Sequence, residues 1–276
     1  MDYSLTLYFY PSPTGVNWKS PRHLTWSILK NAITRKPRLI GHVSVLLEGP
    51  GKRIFSGMST EGHDQNRKFV LKEHMGMGVL FHEYEGLVED EEKLAPELKI
   101  RLENGHFSFI KFKLSPESFQ KCVQYFEEYI QHNVGKIYGL PYRPRYKEGA
   151  GCSAYAASFL EVAGVMNEEF RTHWSGRVRV PQEFIGGPSN GGHKVPVWKI
   201  LLPTKKSKTW AQKHEDGTDV FFWDPDMMHE WTVKKWTVLQ AHSKNTIYQA
   251  VKDHNAKGIL VDSSKILPSE EPIWLK

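Results

Sequence analysis

Apolar and polar residues alternate through YSLTLYFY (residues 3–10), the period of a strand, and the run stops at Pro11 and Pro13. Ser20 and Pro21 then open a helix whose Leu24, Ile28, Leu29 and Ala32 form one stripe. IGHVSVLLEG (40–49) predicts a largely buried strand, and GPGK turns it into RIFSGMS (53–59), a hairpin. Between 60 and 105 the pattern weakens to loops and one short strand around GVLFHEYEG. HFSFIKFKL (106–114) alternates again. A helix follows in SPESFQKCVQYFEEYIQ, started by Ser115 and Pro116, with Phe119, Cys122, Val123, Phe126 and Ile130 on one face.

The turn-rich segment GKIYGLPYRPRYKEGAG leads into CSAYAASFLEV, whose apolar residues fall on nearly every side and predict a helix buried all round. Beyond Gly164 the chain reads as irregular. GGPSNGGH (186–193) is a loop, VPVWKILL (195–202) and TDVFFW (218–223) are strand-like, TIYQAVKDHN suggests a helix and GILVD a weak strand. No repeat, heptad or low-complexity linker interrupts the chain. The expectation is one α+β domain over 1–276, an antiparallel sheet against a cysteine-bearing helix, with 166–276 as a C-terminal decoration.

Net charge is +6 and the sequence pI about 9.1, which invites a nucleic-acid reading. The basic clusters are short (Arg35, Lys36 and Arg38; Arg143, Arg145 and Lys147; Lys205, Lys206 and Lys208), and acidic stretches such as VEDEE (88–92) interrupt them. Solvated loops explain them without a specific nucleic-acid partner, though a basic face also suits an anionic polymer or membrane surface. No apolar run reaches the roughly 20 residues of a membrane-spanning helix. The opening MDYSLTLYFYPSP lacks the basic region and cleavage site of a signal peptide. The expected compartment is therefore the cytoplasm, or the envelope or exterior if a leader has been removed.

Several chemistries lack their motifs. His82, His214 and His229 each precede a glutamate, but Gly86, Thr218 and Val233 stand where a helical zinc site needs a second histidine. No paired Cys-x-x-Cys element, phosphate loop or Gly-x-Ser-x-Gly elbow occurs. Asp224, Asp226, His229 and Glu230 have the donors for a metal, but beside Pro225 they read as a loop. The expectation is neither metal nor cofactor.

Two cysteines make no disulfide framework. Cys122 lies on the inward face of its helix and reads as core. Cys152 differs: it follows Gly149, Ala150 and Gly151 at a helix start, where the dipole favours thiolate. The alternative is packing, because free cysteine is among the most buried residue types. A catalytic thiol needs a base, and His42 is the histidine best held, at the start of a buried strand. His42, Ser44 and Leu46 share one face of that strand, and Val43, Val45 and Leu47 the other.

GHVSVLLEG resembles the histidine strand of the NlpC-type papain-like peptidases and amidases. GLPYRPRYKEGAGCSAYAASFLEVAGV (139–165) resembles their cysteine element, in which Pro-Tyr precedes a glycine-rich stretch, Cys-Ser and an alanine-rich helix. Here the histidine precedes the cysteine, an order similar to the circularly permuted branch that includes the YiiX-type proteins and the lecithin–retinol acyltransferase-like enzymes. The resemblance covers about 40–59 and 137–165; residues 1–39 and 166–276 have no counterpart in it.

The resemblance implies a permuted papain-like fold with Cys152 as nucleophile and His42 as general base. It implies an oxyanion site at the Cys152 backbone N–H, with Tyr142 as a second donor or substrate contact. Its third member, which orients the imidazole, falls on Ser56 in RIFSGMS; Glu61, His63 and Gln65 lie just beyond. Serine is short and uncharged for that task. The implied function is a thiol hydrolase cleaving amide bonds, in peptides of the bacterial cell wall. The alternatives are a lipid acyltransferase or thioesterase on the same fold, with an acyl lipid as partner, and a non-catalytic binding module.

Overall fold

The computed structural model describes residues 2–33, 40–60, 68–69, 72–241 and 247–276. Glu61, His63 and Gln65, and the basic cluster at 35–38, lie outside the described residues. In chain order the N-terminal half comprises β1 (Ser4–Tyr10), α1 (Pro21–Ile33), β2 (His42–Gly49), β3 (Lys52–Thr60), β4 (Tyr84–Glu89), α2 (Glu91–Asn104), β5 (Ser108–Leu114) and α3 (Pro116–Gln131). There follow β6 (Ile137–Tyr138), α4 (Cys152–Val162), α5 (Glu168–Trp174), β7 (Ser175–Pro181), α6 (Val197–Leu201), α7 (Lys205–Lys208), β8 (Gly217–Trp223), α8 (Pro225–Ala241), β9 (Tyr248–Asp253) and β10 (Ala256–Ser263).

The class is α+β with a mostly antiparallel sheet. Eight strands run in the order β6-β4-β3-β2-β1-β5-β10-β9, and only the β5–β10 pair is parallel. β2 is thus a central strand. One face carries Leu7, Phe9, Val43, Val45, Ile110 and Ile259 and is covered by α3, α4, α5 and α8, in the largest core cluster. The opposite face carries Tyr8, Tyr10, Leu46, Phe55 and Phe109 and is closed by Leu94 and Leu98 of α2. A third cluster joins α1 and α6 to the β7–β8 ribbon.

Capping explains the long helices. Ser115 accepts from Ser118 N with Pro116 at the first position, and Asp90 accepts from Lys93 N ahead of Glu91 and Glu92. On α3, Phe119, Cys122 and Val123 are buried as the stripe predicts. Tyr125 and Tyr129 complete that face, while Ile130 is exposed. On α1, Ala32 is exposed and Asn31 is buried in its place, accepting from the backbone and hydroxyl of Thr14.

Four sequence expectations are corrected. Residues 197–201 form a helix, not a strand, because Pro196 at the N-cap is followed by apolar residues packed on α1. Within TIYQAVKDHN, Tyr248–Asp253 forms strand β9, not a helix, and returns into β10 through His254, whose φ is 49°. Asp224–Glu230 is the start of α8, not a loop: Asp224 accepts from Met227 N at 2.9 Å and caps it. The stretch 91–104 is helix α2, with Pro96 inside it, where the sequence pattern predicts loop. The C-terminal region is more than decoration, since β9 and β10 extend the main sheet and α8 packs on β1, β5, β9 and β10.

Candidate active site

The start of α4 has no side-chain cap. Gly151 precedes it in extended conformation, and the first helical bond runs from Tyr155 N to Gly151 O at 2.9 Å. The N–H groups of Cys152, Ser153 and Ala154 therefore have no partner within the helix and carry its positive dipole end. Gly151 and Gly139 make the approach close: a Cβ on Gly151 would sit 3.2 Å from Gly139 O.

α4 packs on the Val43, Val45 and Leu47 face of β2, opposite Ser44 and Leu46. Its first residue nevertheless reaches the strand's end. There the Cys152 thiol is hydrogen-bonded with the His42 ring, the Val43 N–H and the Tyr138 hydroxyl. The couple thus forms at the end of β2, and not across the face that His42 shares with Ser44 and Leu46. Burial raises the thiol, but the His42 hydrogen bond and charge, then Val43 and Tyr138, outweigh it and bring it down to about 7. Cys122 is the contrast: fully buried with its Sγ 3.6 Å from Phe159 O, it is pushed well above the ordinary thiol range.

The other side of the imidazole is engaged by a residue the motif did not point to. His42 Nε2 lies 3.0 Å from Glu89 Oε2, and both side chains are buried. That engagement leaves Nδ1 as the nitrogen for the thiol. Glu89 is the last residue of β4, opposite Gly57 of β3, which in turn faces Ser44 of β2. Gly57 makes the contact possible. A Cβ there would sit 3.1 Å from Glu89 Oε2 and 3.2 Å from His42 Nε2. The His42 ring is also stacked on Tyr10, with centroids 5.8 Å apart and planes at 19°, and Tyr10 shares a 2.9 Å hydroxyl hydrogen bond with Ser44.

Of the sequence candidates, Cys152 and His42 are brought together. Ser56 is not: it points to the α4 face, opposite Val45, and exchanges a 3.0 Å hydrogen bond with the Tyr155 hydroxyl. It anchors the cysteine helix and does not orient the imidazole. Tyr142 also stands apart. Its hydroxyl donates to Glu83 at 3.4 Å, and it helps line a cavity of about 290 Å³ along α4, with Ala154, Ser158 and Trp223. The tyrosine at the thiol is Tyr138.

Two signals for Glu89 were present in the sequence. Asp90 with Glu91 and Glu92 marks a helix start, which makes Glu89 the last strand residue before it; and glycine at 57 leaves space beside a strand residue. No group of three or more His, Cys, Asp or Glu suited to a metal ion occurs among the described residues, and no described helix is long and apolar enough to cross a membrane.

The site combines a thiol titrating near neutrality, a base with a buried carboxylate behind it, and backbone donors at a helix start. These are the parts of nucleophilic acyl chemistry. Comparison of the chain with protein-family models, with curated proteins and with solved structures finds no match.

Proposed function

We propose that this chain is a thiol hydrolase with Cys152, His42 and Glu89 as its catalytic triad, on a permuted papain-like fold of the NlpC type. The observation that carries the reading is the buried 3.0 Å contact of Glu89 with His42, whose ring also meets the thiol at the start of α4. A carboxylate in that position holds the ring's orientation and stabilises the imidazolium when thiolate forms.

In the reaction, His42 Nδ1 takes the Cys152 proton and Sγ attacks the substrate carbonyl. The tetrahedral oxyanion is met by backbone N–H groups at the start of α4 and by the Tyr138 hydroxyl. Collapse expels the leaving amine, which takes the proton from His42, and leaves a thioester on Cys152. Water, deprotonated by His42, then attacks the thioester, releasing the acid and restoring the thiol. The cavity lined by Tyr142, Ser158 and Trp223 is of a size for one substrate residue beside the cysteine helix. Amide bonds of cell-wall-type peptides are the proposed substrates. The binding-module reading drew its support from the weak third residue, and Glu89 removes that support.

A panel of cell-wall peptides and of acyl esters, with Cys152→Ala as control, tests the proposal. Amide cleavage that vanishes in Cys152→Ala, with an acyl-enzyme seen by mass spectrometry, is the expected result. Turnover of acyl esters alone would move the assignment to the lipid acyltransferase or thioesterase class, and no acyl-enzyme with any substrate overturns it.

A further inference from the structure

The charge of the chain is unevenly distributed. Residues 17–33 and 194–214 hold nine lysines and arginines and no aspartate or glutamate, leaving 28 of the 37 basic residues elsewhere against all 31 acidic ones. The excess positive charge thus resides in these two stretches, which come together in space. α1 packs on both α6 and α7, and Trp210 Nε1 donates to Trp18 O at 2.6 Å. Lys206 is engaged by Glu183 at 3.4 Å.

The same helices expose large apolar side chains. Arg22, Trp26 and Ile33 are exposed on α1, on the side away from Leu24, which is buried. Trp26 is 64% exposed and Ile33 79%; on α6 and just after it, Trp198 is 63% exposed and Leu202 47%. Between the helices lies a cavity of about 50 Å³ lined by Leu24, Ile28, Leu29, Val197 and Ile200 with the 76–80 turn. Isolated exposed apolar residues need no explanation, but two indoles with neighbouring aliphatics on packed, lysine-rich helices do, although Glu183, Glu215 and Asp216 lie beside Lys205 and Lys206.

We propose that α1, α6 and α7 form a docking face for an anionic lipid bilayer surface. Lysines draw the face to acidic headgroups, and the indoles settle at the headgroup boundary, where their amphipathic rings are favoured. Ile33, Leu202 and the apolar cavity argue for lipid over nucleic acid, because a phosphodiester chain offers nothing to bury them. The mode is peripheral, as for an interfacial helix. The proposal does not depend on the Cys152 chemistry, so it stands or fails separately.

The test is co-sedimentation of the full chain with phosphatidylcholine vesicles, with and without phosphatidylserine. Variants are Lys205→Glu with Lys208→Glu, Trp26→Ala with Trp198→Ala, and a control, Lys93→Glu with Lys99→Glu on α2. Binding is expected only to the phosphatidylserine vesicles, falling as salt rises. The Lys205/Lys208 pair lowers it by at least about thirtyfold, roughly fivefold for each lysine lost, with repulsion of the two added carboxylates on top. The tryptophan pair lowers it further at high salt, and the α2 pair much less. Circular dichroism and Cys152 alkylation report that each variant is folded. Equal binding to both vesicle types, an equal loss in the α2 control, or tighter binding to single-stranded RNA than to either vesicle overturns the proposal.

Discussion

Gly57→Ala isolates the contact on which the proposed triad depends. The added methyl would sit 3.1 Å from Glu89 Oε2 and 3.2 Å from His42 Nε2, so ring and carboxylate must give by a few tenths of an ångström. The backbone itself accepts alanine, since Gly57 is not among the left-handed residues. Replacing a strand glycine gains about 0.5–1 kcal/mol from the unfolded chain, while overpacking a buried site costs about 1–3 kcal/mol. Net destabilisation is then about 0–2.5 kcal/mol, and the variant folds. A hydrogen bond to a charged group contributes about 1.5–3 kcal/mol. Losing half of it weakens support for the imidazolium by about 1 kcal/mol, roughly fivefold in the ionisation equilibrium and, for a midpoint near 7, about threefold in thiolate at neutral pH. The assay is the pH dependence of Cys152 alkylation in both proteins, with thermal melts alongside. The variant's profile moves to higher pH by somewhat under one unit, and the two rates converge where both thiols are ionised. Superimposable profiles in a folded variant would refute the claim that Gly57 sets this contact.

Three further outcomes follow from the structure. Tyr138→Phe removes one hydrogen bond to the thiol, so the Cys152 profile moves to higher pH and acyl-enzyme formation slows by roughly three- to tenfold; an unchanged profile and rate would mean the hydroxyl does not act on sulfur. Ser56→Ala breaks the buried bond to Tyr155 and lowers stability by about 1–3 kcal/mol in denaturant titrations, with the His42–Glu89 contact intact; loss of alkylation at constant fold would restore Ser56 to the site. His229, held 2.9 Å from Ser108 Oγ, is lowered by burial to about 4. Its contribution is fully present above the ordinary histidine range and is lost as pH falls toward 4, because the unfolded chain takes the proton first. His229→Gln should therefore remove about 3 kcal/mol of the stability difference between pH 7 and 4, read as a flatter melting-temperature profile.

Much of this fold is written locally. β1, β2, β3 and β5 follow from alternation and a turn, and α3 from Ser115, Pro116 and its stripe. α2 was hidden because Pro96 and a charged sequence mask a helix that contributes chiefly Leu94 and Leu98 to the core. β9 and the 197–201 helix were exchanged in type, since short apolar runs carry both periods and packing decides between them. Within the site, Cys152 and His42 were legible because helix start and strand start are local features. Along the chain Glu89 is one member of the acidic run VEDEE, and only the β3–β4 register turns it toward His42 while Glu91 and Glu92 stay exposed. A contact made across three strands leaves little trace along the chain.

The central claim rests on a thiol activated by His42 and Glu89, and the most direct measurement is alkylation by limiting iodoacetamide from pH 5 to 9, located by mass spectrometry. The protein, His42→Ala and Glu89→Gln are compared, with Cys122 as the inert internal reference. The account predicts that Cys152 reacts with a midpoint near 7, that His42→Ala returns it to ~8.5 or above, and that Glu89→Gln falls between. A Cys152 midpoint at the ordinary thiol value in all three proteins would contradict it.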